Sequence, residues 1–220
     1  MTLYLCGDST AAAYAPERAP ICGWGQVLGE LIPGVTVVNA AMPGRSTKSF
    51  LSEGRLKAIE REIRPGDLML IQFGHNDGSD LVWRHTDPYT SYFNNLSIFV
   101  DTARLCGAVP VLLTSICRRN FVDGRLTPTH GDYPDAVRLL AAQRSVPLID
   151  MCALSHAHVS SLGEEASRAL FMHVEPGVYP DYPDGCADNT HTRRAGAEAW
   201  ARMVAAELRR LGLIAAPEVN

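Results

Sequence analysis

Three short stretches of this chain hold residue types that could carry out acyl transfer together. Near the start, Gly7-Asp8-Ser9-Thr10 puts a serine inside a small polar turn. At 188–192 the chain reads Asp-Asn-Thr-His-Thr, with Asp188 and His191 three residues apart. Between them stand Gly44 in "PGRS" and Asn76 in "FGHND". A serine hydroxyl is a weak nucleophile until a base takes its proton. His191 is the candidate base for Ser9. A tight turn would bring Asp188 against it, so that the carboxylate holds Nδ1–H and leaves Nε2 free. The negative oxygen that forms on attack needs preorganised donors. The N–H of Ser9, the N–H of Gly44 and the amide of Asn76 are the natural set. Each stretch alone has a plain structural reading, because Gly, Asp and Ser are ordinary turn formers. Only the set carries weight.

The elements that must position these residues follow from the apolar pattern. Short apolar runs at 2–6, 35–41, 66–74, 108–116 and 146–150 read as strands. Trp24, Val27, Leu28 and Leu31 share one helical face, which marks Trp24 as a core residue and places a helix closed by Gly34. Further helices are expected near 50–63, after an Asp87-Pro88 N-cap, at 134–144, at 153–170 and at 194–211, with a loop over 173–187. Strands alternating with helices predict an α/β fold, a five-stranded parallel sheet covered on both faces. In such sheets ligands bind beyond the carboxyl ends of the strands. The turns holding Ser9, Gly44 and Asn76 follow the first three strands, so they should converge on one edge. Asp8 is expected to tie down its own turn.

The 220 residues read as one domain, 1–220, and the formal charge of -4 gives no reason to expect nucleic acid or an anionic membrane as partner. No run approaches the roughly 20 apolar residues of a bilayer span. The start lacks a basic, signal-like region, so the chain reads as cytoplasmic. Six cysteines without C-x-x-C spacing read as small, mostly buried apolar residues. His156, His158 and His173 lack matching carboxylate spacing, so no metal and no other cofactor is expected.

No G-x-S-x-G elbow occurs, which disfavours the α/β-hydrolase fold. The ordered blocks "GDST", "AAMPGRS", "FGHND" and "DNTH" resemble the SGNH (GDSL-type) hydrolase superfamily. With "GWGQ", "GRSTKSF", "HGDYP" and "HVEPGVYPDYPDG" they resemble its rhamnogalacturonan acetylesterase branch, from Thr2 to about Trp200. The resemblance implies a three-layer α/β/α, flavodoxin-like fold and a metal-free serine esterase. The implied substrate is an acetylated pectic oligosaccharide. The implied site is Ser9, Asp188 and His191 as triad, with Ser9, Gly44 and Asn76 as oxyanion hole. Thr192 stands where this branch often has Phe, which should alter packing beside the base. Arg45 is a candidate for contacting an acidic sugar, and Tyr179 and Tyr182 for lining the mouth of the site. The alternative is an esterase, lipase or thioesterase for another acyl ester, such as acetyl-xylan fragments. A saccharide-binding module would require loss of a triad or oxyanion residue, and none is missing.

Overall fold

A computed structural model describes residues 1–216 of the chain. In chain order the elements are β1 (Thr2–Gly7), α1 (Trp24–Leu31), β2 (Thr36–Asn39), α2 (Thr47–Ser52), α3 (Arg55–Glu62) and β3 (Leu68–Gln72). There follow α4 (Phe93–Leu105), β4 (Val109–Leu113), a hairpin of β5 (Phe121–Val122) and β6 (Arg125–Leu126), and α5 (Tyr133–Arg144). The chain continues through β7 (Leu148–Ile149), α6 (Met151–Ser167), β8 (Phe171–Val174), β9 (Cys186–Thr192) and α7 (Arg194–Arg210).

The main sheet has the order β2-β1-β3-β4-β7, and every pair in it is parallel. Alternate side chains of a strand point to opposite faces, and here both faces are buried. Leu3, Leu5, Leu70 and Val111 face one core with Trp24, Leu28, Trp200 and Val204 of α1 and α7. Tyr4, Cys6, Met69 and Ile71 face the other, with Phe50, Phe99 and Leu140 of α2, α4 and α5. The result is the expected three-layer α/β/α arrangement. Trp24 is fully buried, and its Nε1–H donates to Gln72 Oε1 at 2.8 Å.

Several local expectations need correction. The helix anticipated near 50–63 is two helices, split at Gly54, whose φ of +72° only glycine adopts without strain. The first of them starts early, at Thr47. Ser46 and Ser49 form a reciprocal capping box there, just beyond the Gly44 turn. Asp87 gives no side-chain cap. Its N–H donates to Ser91 Oγ at 2.8 Å, and the chain enters α4 through a wide turn over Pro88–Tyr92. The long loops also contain more structure than their turn-rich composition suggested. Hairpin β5–β6 stands in one, and the antiparallel pair β8–β9 brackets the other. Among the described residues, no helix is long and apolar enough to cross a membrane.

Candidate active site

Ser9 lies two residues past the end of β1, in a turn secured from within. Asp8 is fully buried, and its Oδ1 accepts the Thr10 N–H at 2.9 Å and the Thr10 hydroxyl at 2.8 Å. Burial pushes the Asp8 carboxyl up to about 6, against the lowering effect of the Thr10 bonds. Tyr14 Oη donates to the Ser9 carbonyl at 2.7 Å. The turn is therefore a rigid mount, and Asp8 serves its own backbone.

The opposite side comes from β9. Phe171 pairs with Thr192 and Met172 with Asp188, so the register jumps and Asn189-Thr190-His191 bulge out of the ladder. In a regular strand, residues three apart point to opposite faces; the bulge re-aims His191 onto Asp188. His191 Nδ1 lies 2.6 Å from Asp188 Oδ2, and His191 Nε2 lies 2.9 Å from Ser9 Oγ. Asp188 Oδ1 accepts the N–H of Thr190 at 2.6 Å and of His191 at 3.1 Å. Burial disfavours the Asp188 carboxylate, but the His191 ring and the two N–H bonds outweigh it and hold the carboxyl near 2. Asp188 thus stays ionised at any working pH. That favours the tautomer with the proton on Nδ1, leaving Nε2 to accept from Ser9.

The bulge is itself pinned. Arg119 N–H donates to the Asn189 carbonyl at 2.8 Å, and Arg119 Nη1 donates to Asn189 Oδ1 at 3.1 Å. Arg119 is buried, and its Nε also bonds Ser167 Oγ at the end of α6. His173 Nε2 sits 2.7 Å from the same Asn189 Oδ1. Thr192 is buried, and its hydroxyl donates to the Cys22 carbonyl at 2.8 Å while Cys22 N–H donates to the Thr192 carbonyl. Thr192 therefore ties the hairpin to the loop before α1.

Gly44 and Asn76 complete the ring. Gly44 has φ +79°, the left-handed conformation that favours glycine. Among the described residues, neither the Ser9 nor the Gly44 N–H donates to a protein acceptor. The Asn76 amide is oriented by two bonds. Its Oδ1 accepts from Arg84 Nη1 at 3.1 Å and its Nδ2 donates to the Arg45 carbonyl at 3.0 Å. The flipped amide would set Nδ2 against a guanidinium, so this assignment is the stable one. One Nδ2 hydrogen remains for an incoming oxygen.

Ser9, Gly44, Asn76, Asp188 and His191 all line one open cavity of about 600 Å³. Tyr182 lines it too, whereas Tyr179 lines an adjoining groove of about 540 Å³ with Tyr14, Pro20 and Ile21. Arg45 does not line the cavity. Its Nε lies 3.1 Å from Glu53 and its Nη1 donates to the Pro43 carbonyl, so the guanidinium is held away by the capping segment around α2. The arginines on the cavity wall are Arg18, which pairs with Asp181, and Arg84 and Arg118, in loops after β3 and β4; sequence reasoning passed over all three. No spacing rule marks them, because what distinguishes them is their surroundings in the fold.

His75 is buried and meets His130, with His130 Nε2 3.1 Å from His75 Nδ1. Burial holds both imidazoles well below their ordinary range, so both are neutral.

The GDSL-like Lipase/Acylhydrolase family matches residues 5–199. The rhamnogalacturonan acetylesterase RhgT of Bacillus subtilis is 46% identical over 96% of this chain and 90% of its own length. The probable rhamnogalacturonan acetylesterase YesY of the same organism is 38% identical over 96% of this chain and 94% of its own length. The crystal structure of Bacillus subtilis YxiM superposes with a TM-score of 0.82 at 31% identity, covering 96% of this chain and 56% of YxiM. This chain belongs to the GDSL-like lipase/acylhydrolase family and is a carboxylic ester hydrolase.

Proposed function

We propose that the protein is an O-acetylesterase acting on acetylated pectic oligosaccharides of the rhamnogalacturonan type, through an acyl-enzyme on Ser9. The observation that carries the mechanism is the unbroken relay Asp188–His191–Ser9, with contacts of 2.6 and 2.9 Å, opening onto the cavity. His191 Nε2 takes the Ser9 proton as Oγ attacks the acetyl carbonyl. The carbonyl oxygen becomes an anion facing the N–H groups of Ser9 and Gly44 and the Asn76 amide. His191 then gives its proton to the departing sugar oxygen, and the tetrahedral intermediate collapses to acetyl-Ser9. Water, deprotonated by His191, attacks that ester, and acetate leaves as Ser9 recovers the proton. The acetyl and pectic parts of the reading rest on the likeness to RhgT and YesY.

A second reading follows from the apolar groove of Tyr14, Pro20 and Ile21, which adjoins the cavity and offers room for a longer acyl chain. Acetate release from acetylated rhamnogalacturonan oligosaccharides, with Ser9→Ala alongside, tests the first reading. Release from acetyl-xylan fragments alone overturns the pectic substrate and keeps the esterase. A preference for octanoyl over acetyl esters selects the second reading.

A further inference from the structure

The wall that carries Arg84 and Arg118 is shared. Both arginines line the cavity of Ser9 and His191, and both also line a neighbouring cavity of about 470 Å³ bounded by His75, His130 and Tyr133. A sugar whose acetyl group sits at Ser9 therefore has a continuous path past two guanidinium groups.

Neither charge is neutralised by contact. Arg45, Arg138 and Arg194 each sit against a carboxylate, whereas among the described residues Arg84 and Arg118 take part in no ion pair. Arg84 uses Nη1 on Asn76 Oδ1 and on the Gly44 carbonyl, and its Nε is buried with no partner. Arg118 donates from Nη2 to the His75 carbonyl at 3.1 Å. Each guanidinium is thus anchored by a corner, with most of its five N–H donors unengaged. Two acids act on Arg118 at longer range, Asp8 and Asp188. Asp8 is committed to Thr10 and Asp188 to His191, so neither is available to cap the arginine. His75 and His130 on the same wall are neutral, so its positive character comes from the arginines alone. A partly buried guanidinium without an anion is costly to maintain, and its fork matches a carboxylate. The opposite end of the cleft, with Tyr14, Pro20 and Ile21, carries Arg193 and Arg194; Arg194 pairs with Glu30 and Glu198, and Arg193 donates from Nη2 to the Ala169 carbonyl.

We propose that Arg84 and Arg118 form a carboxylate subsite, which binds a uronate residue of the oligosaccharide whose acetyl group sits at Ser9, in the cavity of His75 and His130. The assignment rests on the oligosaccharide reading above. Arg84 also orients Asn76, so Arg118 is the residue that isolates the subsite.

The test is inhibition of p-nitrophenyl acetate hydrolysis by an unacetylated galacturonate oligosaccharide and by its methyl ester. The native enzyme should bind the acid form about 10- to 100-fold more tightly, the scale of a charged hydrogen bond. Arg118→Gln should bring the two forms within about 3-fold, on the same scale. Equal inhibition by acid and ester in the native enzyme overturns the subsite, and this arm needs no variant to fold. Undiminished discrimination by Arg118→Gln also overturns it. Discrimination without acetate release from any acetylated pectic fragment leaves the subsite standing and removes the pectic reading. Acetate release at equal kcat/KM from acid and methyl-esterified fragments does the reverse.

Discussion

The candidate site has two halves built on different principles. Ser9, Gly44 and Asn76 stand just beyond the carboxyl ends of β1, β2 and β3, three adjacent parallel strands. Asp188 and His191 stand on a separate two-stranded hairpin, outside the main sheet. The sheet half is mounted on the core. Asp8 and Asp77 are fully buried behind it, and Ser9 is only 9% exposed. The hairpin half is more open, with the Asp188 and His191 side chains 33% and 29% exposed. It keeps its shape through hydrogen bonds from Arg119, His173 and Thr192. The lesson is that the nucleophile's position follows from the sheet, while the base depends on a bulge that outside partners hold in place.

Substitutions can break this comparison from either side. The largest effect belongs to the sheet half. Ser9→Ala should lower kcat on p-nitrophenyl acetate by about 10⁶, the scale for losing a triad nucleophile. A fall of less than tenfold would mean that another group attacks. Next comes the hairpin half. Asp188→Asn should cost about 10⁴ in kcat, because the amide can present the wrong partner to Nδ1 and reverse the His191 tautomer. Wild-type kcat in that variant would mean that the bulge alone positions the ring. Asn76→Ala should cost about 10² to 10³ in kcat with little change in KM, since its amide acts on charge that develops in the transition state. An effect confined to KM would place Asn76 in ground-state binding instead.

Arg119→Met sharpens the contrast, because it touches neither Ser9 nor His191. If Arg119 pins the bulge, kcat should fall by up to about 10², the cost of misplacing a catalytic group by about 1 Å. Steady-state rates measured with a thermal melt separate this from unfolding. Unchanged kcat in a folded variant would show that the hairpin holds His191 unaided.

The last expected effect is on stability, not turnover, and concerns the buried backing of the sheet half. Burial pushes the Asp77 carboxyl up to about 7, against bonds from Thr47 and Thr86. The ordinary value is about 3.9, so the folded chain holds a proton that the unfolded chain releases over roughly pH 4 to 7. Stability should fall as pH rises through that window, by at most about 4 kcal/mol at 1.36 kcal/mol per unit. Urea unfolding at pH 5 and pH 7.5 measures it, and Asp77→Asn should flatten the slope. A steeper slope in that variant would rule out Asp77 as its source.

Much of this molecule was legible one residue at a time. Apolar runs broken by polar turns mark five strands whatever their partners, because burial on both faces demands continuous apolar sequence. Once the strands are parallel, their carboxyl-end turns must share an edge, so Ser9, Gly44 and Asn76 could be placed together from local pattern. The spacing of Asp188 and His191 marked a pair. What brings them into contact is a register jump in a β-hairpin, set by which residue of β8 faces which of β9, and no local pattern encodes that. The same limit explains the arginines. Arg45, beside Gly44 in the chain, turns back onto Glu53, while Arg84 and Arg118 reach the cavity from loops after β3 and β4. Residue type and the succession of strands and helices along the chain were decided by the sequence alone. Which charges are paired and which stand free at the cleft was decided by the tertiary structure, because an ion pair depends on distance in space.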